Sequence, residues 1–371
     1  MAKNALKASS SLPERDFATR NTDTPNELRH FQTVPAKPGI RLLSFDDGGA
    51  RGLSMLLVLR NMLRDVEKLS QGPGLPCDYF DVIAGSGTGG LLALLLGRLR
   101  LSMNNAIECY TRIVERVFLR TKPGGQFKAS SLEEVLREIS NRFGDGDETQ
   151  MIGDRRPRCR TFVCVREKDN AGVIKPQRLR TYVHPAEPPF RSTLTEAVRA
   201  TMGNPVFFEP LSITYDNGNQ STFLDAGEDR YNPVFDLYEE ALSLFPSRDV
   251  AYVVSLGAGK ADTINMTPPG FLHQPRLPSA CLTAMQHLAT RCDAISDAFQ
   301  RENPELDSVY FRFTHDRGSV NGKMALWEQV AVLKEFLRPY IIAVDEQAFT
   351  LVRKMMHERN LLLSGAGRRS R

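Results

Sequence analysis

Several things are scarce in this sequence. No two of the six cysteines (Cys77, Cys109, Cys159, Cys164, Cys281 and Cys292) stand in CxxC spacing. They are expected to be reduced, mostly buried thiols of a cytosolic protein. The six histidines are equally scattered, and no His/Cys cluster has metal-ligand spacing, so neither a metal nor a cofactor is expected. Long apolar runs are missing: the longest, Leu91 to Leu96, is far too short to cross a bilayer. An excess of one charge is missing too. With 48 basic and 44 acidic groups the net charge is only +4, which does not argue for nucleic acid and permits no more than weak attraction to an anionic membrane surface. The first residues are polar and mixed in charge, without the pattern of a secretory signal. The expected location is therefore cytoplasmic, with at most peripheral contact with membranes or lipid droplets. There is no internal repeat, and no low-complexity linker inside residues 39–363.

What is present is a chain able to build a large core. Hydrophobic residues make up 41% of 371, enough for one sizeable α/β domain. Residues 1–38 are polar and read as a mobile arm, 39–363 as a single domain, and 364–371 as a basic Gly/Arg tail. Within the domain, short apolar runs alternate with helical spacing. Arg41 to Phe45, Tyr79 to Ala84, Arg160 to Arg166, Leu179 to Val183, Val250 to Leu256 and Ser308 to Phe313 read as strands. Leu53 to Val66, Leu91 to Leu99, Met103 to Phe118, Ser131 to Phe143 and much of 277–299 and 326–360 read as helices. Strand, turn and helix repeated in this way imply a mostly parallel sheet covered on both faces.

In such sheets ligands sit at the carboxyl ends of the strands, and three turns stand there. The first is Asp46 to Gly52 (DDGGARG), where the N–H groups of Gly48 and Gly49 can converge on an anion: a phosphate or a developing oxyanion. A Rossmann fingerprint is excluded because Asp47 takes its first glycine, and no Walker lysine is present. The second is Ala84 to Gly90 (AGSGTGG), again between strand and helix, where a GxSxG nucleophile elbow would stand. In that register the centre is Gly87, which carries no nucleophile. The third is Asp225-Ala226-Gly227, a carboxylate at a strand end, where caps and turn formers are also common.

In order and spacing these turns and the runs around them resemble the patatin-like phospholipases, from about Gly39 to about Arg353, with the core motifs in 41–236. The runs that carry the resemblance are LLSFDDGGARG (42–52), PCDYFDVIAG (76–85) and Thr88-Gly89-Gly90. Arg199 to Thr201, Pro205, Phe207, Phe208, Asn232-Pro233 and VVSLG (253–257) add to it. The resemblance implies a three-layer α/β/α fold with a central mostly parallel sheet. It also implies hydrolysis of acyl esters of phospholipids or neutral lipids by a Ser–Asp dyad, with no metal. By position, it assigns Gly48 and Gly49, with Arg51 beside them, to the oxyanion hole. Gly87 falls at the nucleophile position and Asp225 is the base. An acyl cleft is expected over the elbow, lined in part by Pro205, Phe207 and Phe208. The implied ligand is a lipid or fatty acyl group.

The sequence departs from this pattern at all three motifs. Asp47 replaces the first loop glycine, Gly87 the serine, and Ala226 the middle residue of a DGG or DGA turn. Loss of a nucleophile costs roughly 10⁶-fold in turnover in a serine hydrolase. An ionised Asp47 turned inward would cancel about one oxyanion donor, itself worth about 3–4 kcal/mol. Three coordinated departures read as divergence of a whole site rather than a single knock-out. The expectation is a catalytically impaired or silent member that keeps acyl-lipid binding or a regulatory role. The alternatives are an active esterase using Ser86, one residue early, or a water held by Asp225, and, more distantly, a phosphate binder using the first loop. By itself the sequence also suggests that Gly87→Ser would restore a nucleophile within reach of Asp225.

Overall fold

Ile40–Phe45 (β1) is buried at every residue, yet its side chains divide between two cores. Ile40 and Leu42 join one cluster with Val82, Ala84, Phe162 and Val253, whereas Leu43 and Phe45 join another with Ile83, Val163 and Val254. A strand with apolar residues at both alternations has helices on both sides of its sheet, and that is the architecture found. The computed structural model describes residues 38–366, apart from 70–73, 120, 124, 147–148, 154–156, 215–219, 265–277 and 316–329. All but the last residue of the predicted arm 1–38 therefore lies outside the described residues, as does the end of the predicted basic tail, 367–371.

The remaining strands are Val82–Ser86 (β2), Arg160–Lys168 (β3), Ile174–Arg180 (β4), Leu211–Thr214 (β5), Gln220–Leu224 (β6), Val250–Leu256 (β7) and Tyr310–Phe313 (β8). They form one eight-stranded sheet ordered β5-β6-β3-β2-β1-β7-β8, with β4 on the other edge of β3. The run β3-β2-β1-β7-β8 is parallel, and β4, β5 and β6 are antiparallel additions. The sheet is thus mostly parallel, as predicted.

The helices are Leu53–Leu69 (α1), Gly87–Ala93 (α2), Met103–Ile113 (α3), Ala129–Phe143 (α4), Leu194–Thr201 (α5), Val234–Leu244 (α6), Ser279–Glu302 (α7), Val330–Ala343 (α8) and Asp345–Ala366 (α9). On one face α1 buries Leu53, Leu56, Leu63 and Val66, and α2 to α5 join the same cluster. On the other face α6 and α7 pack Val234, Leu237, Ile295 and Phe299 against the sheet. Local signals fix where several helices start: Ser102 accepts from the Asn105 N–H ahead of α3, and Thr193 and Glu196 form a capping box on α5. The last helix runs to Ala366 and takes in the first three residues of the predicted tail.

One pairing detail places the site. β3 pairs with β2 through Cys164 and with β6 from Arg166 onward, while β4 holds its opposite edge throughout. The antiparallel β6 therefore occupies the line that β2 leaves after Ser86. Its carboxyl end meets the carboxyl end of β2, and the residue after it is Asp225.

Candidate functional site

β2 ends at Ser86 in extended conformation, and α2 starts at the next residue. Gly87 has φ +53°, the left-handed conformation that a nucleophile elbow imposes on its central residue. The elbow backbone is thus intact, with Gly87 meeting its conformational demand without strain.

The space a side chain would enter is filled. A Cβ placed on Gly87 would lie 2.1 Å from Asp47 Cγ, and 2.1 and 2.3 Å from its two carboxyl oxygens. Asp47 thus stands where the nucleophile side chain would begin. Its neighbour Asp46 is gripped through both oxygens by the Arg312 guanidinium, at 2.9 and 2.6 Å, while the Asp47 N–H donates to the Tyr231 carbonyl at 2.8 Å. These two anchors turn the Asp47 side chain toward the elbow.

The Asp47 carboxyl receives one of the two N–H donors that the sequence assigns to an oxyanion, that of Gly49, together with the Thr88 N–H at the elbow. Oδ1 accepts from the N–H of Gly49 at 3.1 Å and of Thr88 at 3.3 Å, with the Thr88 hydroxyl at 3.5 Å. The Gly48 N–H donates instead to Thr88 Oγ1, at 3.2 Å. The anion held by the first Gly-rich turn is therefore supplied by the chain itself. Asp47 is 5% exposed. Burial pushes its carboxyl up to about 7, against the two N–H donors, with the charge of Asp225 adding to the rise. Arg51 is buried beside this loop and donates to the Gly259 carbonyl at 3.2 Å. Burial lowers its guanidinium to about 10, so it stays cationic at neutral pH.

Asp225 is 1% exposed and held by three donors. Arg166 Nη2 reaches Oδ1 at 2.6 Å, while Asn204 Nδ2 at 2.8 Å and the Tyr231 hydroxyl at 3.2 Å reach Oδ2. Burial, with the charge of Asp225, pushes the Tyr231 phenol up and keeps it a donor. The turn tolerates Ala226, because the left-handed residue is Gly227, at φ +84°. Two carboxyl groups, Asp47 and Asp225, thus share one buried site.

Other residues singled out in the sequence are placed differently. Ser86 is fully buried and donates to the Arg230 carbonyl at 2.5 Å. It pairs in register with Cys164, in the cluster under α6. This corrects the reading of Ser86 as a substitute nucleophile: the strand alternation that turns residue 87 to the elbow turns residue 86 into the sheet. Phe207 and Phe208 are core residues. Phe208 meets Phe127 and Phe118 with ring centroids 5.6 and 6.3 Å apart, and Phe207 stacks on Phe127 at 6.4 Å. Pro205 is exposed, with its carbonyl accepting from Gln126 at 2.7 Å. Cavities of about 830 and 1010 Å³ open elsewhere, and neither is lined by Asp47, Gly87, Asp225 or the phenylalanine pair. Among the described residues no group of three or more His, Cys, Asp or Glu is arranged to hold a metal ion.

Sequence reasoning missed Arg166, Asn204 and Arg312, which position the two carboxyl groups. Asn204 carries a weak signal, standing beside the matched Pro205. Arg166 and Arg312 carry none, being arginines on strands that meet their partners only through the fold.

An elbow between strand and helix, a Gly-rich turn facing it and an aspartate brought in by the neighbouring strand define the framework of an acyl-ester hydrolase. The patatin-like phospholipase family matches residues 43–237, more than half of the chain, and the chain belongs to that family of lipid acyl hydrolases. It is 27% identical over 243 residues to the human calcium-independent phospholipase A2-gamma, a match that covers 61% of this chain and 29% of that protein. It is 28% identical over 256 residues to the cGAMP-activated phospholipase of Vibrio cholerae, covering 63% of this chain and 66% of that protein. Phospholipase A I of Arabidopsis thaliana is 30% identical over 145 residues, covering 38% of this chain and 10% of that protein. The chain thus matches less than a third of the length of the mammalian relative.

Proposed function

We propose that this chain is a patatin-like domain in which serine hydrolysis is silenced, and that it keeps acyl-lipid binding in a regulatory or scaffolding role. The observation that carries the reading is the position of the Asp47 carboxyl, 2.1 Å from where a side chain on Gly87 would start. The two departures are one exchange: the side chain lost at residue 87 is replaced in space by the one gained at residue 47. The exchange removes the nucleophile, worth roughly 10⁶-fold in a serine hydrolase. It also engages the Gly49 N–H of the anion-binding turn and the Thr88 N–H of the elbow with a carboxyl that never leaves. Family membership and relatives named phospholipases support an acyl lipid as the ligand, and peripheral membrane contact follows from the same reading.

Two measurements test it. A fluorophosphonate probe and a short-chain p-nitrophenyl ester are expected to show neither labelling nor turnover by the wild-type protein. Labelling that disappears in Ser86→Ala would overturn the silenced reading. A fatty acid or lysophospholipid is expected to raise the melting temperature or perturb NMR signals. Absence of both responses would overturn the lipid-binding half in favour of a role in protein interaction alone.

A further inference from the structure

The helix that starts at the elbow ends at a cavity. After Ala93 it widens into a π-turn, Leu94–Arg98, with Leu99 N–H donating to the Leu94 carbonyl at 2.9 Å and Leu101 N–H to the Leu95 carbonyl at 3.0 Å. Wide turns of this kind are frequent at functional sites. Arg98 and Arg100, which flank its end, line a cavity of about 1010 Å³, as do Arg158, Thr181 and Asp145. Arg100 has φ +54° and is the one non-glycine residue in the left-handed region among the described residues. Such conformations are unfavourable and persist where surrounding structure imposes them.

The described lining of this cavity is net positive. Three arginines against one aspartate leave its described lining at +2. Cys77 and Cys159 form part of the wall, and burial raises both thiols, Cys77 to about 11, so neither adds negative charge. The acids that face the arginines hold them loosely. Arg98 bonds to Asp145 at 3.0 Å, but that carboxylate is 76% exposed. Arg100 meets Asp78 only at 3.5 Å, with its own side chain 42% exposed. Exposed pairs of this kind are weak and readily joined or replaced by a stronger anion. The Arg98 backbone-facing bonds are firmer: Nε donates to the Gln150 and Met151 carbonyls at 2.9 and 3.1 Å. They fix the guanidinium at the cavity wall. Planar guanidinium groups match phosphate oxygens in paired hydrogen bonds.

We propose that this cavity is a binding site for a small phosphate-bearing dianion, distinct from the elbow. Cys77, Cys159, Thr181 and the end of the elbow helix all lie at the amino ends of β2 and β3, whereas Gly87 and Asp225 lie at the carboxyl end of β2. β2 has five residues, so the two sites are separated by roughly 17 Å of strand. The phosphate could belong to a soluble molecule or to a lipid headgroup. A headgroup bound here would turn the elbow away from the bilayer, which favours the soluble source.

Titration calorimetry of the full chain with inorganic pyrophosphate tests the site. One saturable site is expected, weakened at least about tenfold in Arg100→Gln/Arg158→Gln. Both side chains are exposed, so the variant is expected to keep the wild-type melting temperature. Asp145→Asn removes the one acid of the described lining and is expected to tighten binding several-fold. A variant pair that lowers the melting temperature leaves Asp145→Asn as the decisive comparison. Absence of pyrophosphate binding together with absence of Arg100- and Arg158-dependent vesicle retention, or equal pyrophosphate affinity in wild type and both variants, would overturn the proposal. Vesicles of phosphatidic acid and phosphatidylcholine distinguish the sources: retention that requires Arg100 and Arg158, without pyrophosphate binding, would support the phosphate chemistry and assign it to a headgroup. None of these readouts depends on the elbow, so the outcome is independent of the silenced reading.

Discussion

Asp47 and Gly87 are best understood as a pair. A side chain at residue 87 and the Asp47 carboxyl in its present position would claim the same volume. The simple rescue suggested by the sequence, Gly87→Ser alone, therefore requires the Asp47 carboxyl to move out of its present position. The same packing makes Asp47 a titrating group. Its carboxyl is raised from 3.8 to about 7 by burial and by Asp225. Between those two values the folded state binds more protons than the unfolded one, so the contribution of Asp47 to stability falls as the pH rises from about 4 to about 7 and is flat above. Asp47→Asn keeps the shape without the charge. It is expected to stabilise the protein at pH 8 by up to about 4 kcal/mol, the value of a shift of roughly three units. The gap should narrow as the pH falls below 7 and close near 4. Urea melts of both proteins across this range check the expectation, and a gap that stays constant with pH would remove the buried, charged Asp47 from the account.

At the scale of elements, the elbow depends on a close approach between α2 and the turn after β1. A Cβ on Gly89 would lie 2.3 Å from the Asp46 carbonyl oxygen and 2.4 Å from that of Phe45. Backbone cannot yield as a side-chain tip can, so Gly89→Val is expected to lose several kcal/mol or fail to fold. A soluble variant with wild-type melting temperature would show that this packing is absent. Asn204, in the turn after α5, holds the Asp225 carboxyl that follows β6. Removing its amide deprives a buried carboxylate of a donor, so Asn204→Ala is expected to cost about 1–3 kcal/mol, measured by denaturant unfolding. The elements differ in how legible they were. β1 and β7 were read almost to the residue because their apolar runs are unbroken and end in Gly turns. β4 was placed at Leu179 to Val183 but spans Ile174–Arg180, because its outer half is exposed and carries Lys175, Gln177 and Arg178 in place of an apolar run. β5, only half buried, gave too little periodicity to find, and of β6 only its end before Asp225 was read. The three glycine turns were legible because backbone geometry restricts them to few residue types. Asp47 reaching residue 87 was not, since forty residues separate them and only the parallel pairing of β1 with β2 brings them together.

At the scale of the molecule, the proposed reading is of a family fold kept without the family's serine chemistry. The frame of strands, elbow and helix is complete, and Asp225 is buried at the end of β6. What has changed is one side chain's worth of volume at their junction. On the silenced reading, activity is expected to return only when both residues change together. Asp47→Gly/Gly87→Ser would vacate the carboxyl, free the N–H groups of Gly49 and Thr88, and return a hydroxyl to the elbow. Asp225→Asn in that background is expected to abolish whatever ester hydrolysis the double variant gains, followed with a p-nitrophenyl ester. The most direct measurement is fluorophosphonate labelling of wild type, Asp47→Gly, Gly87→Ser and the double variant, each shown to be folded. The account predicts labelling of the double variant alone. Equal labelling of Gly87→Ser by itself would contradict it, because Asp47 would then not occupy the space of the missing serine.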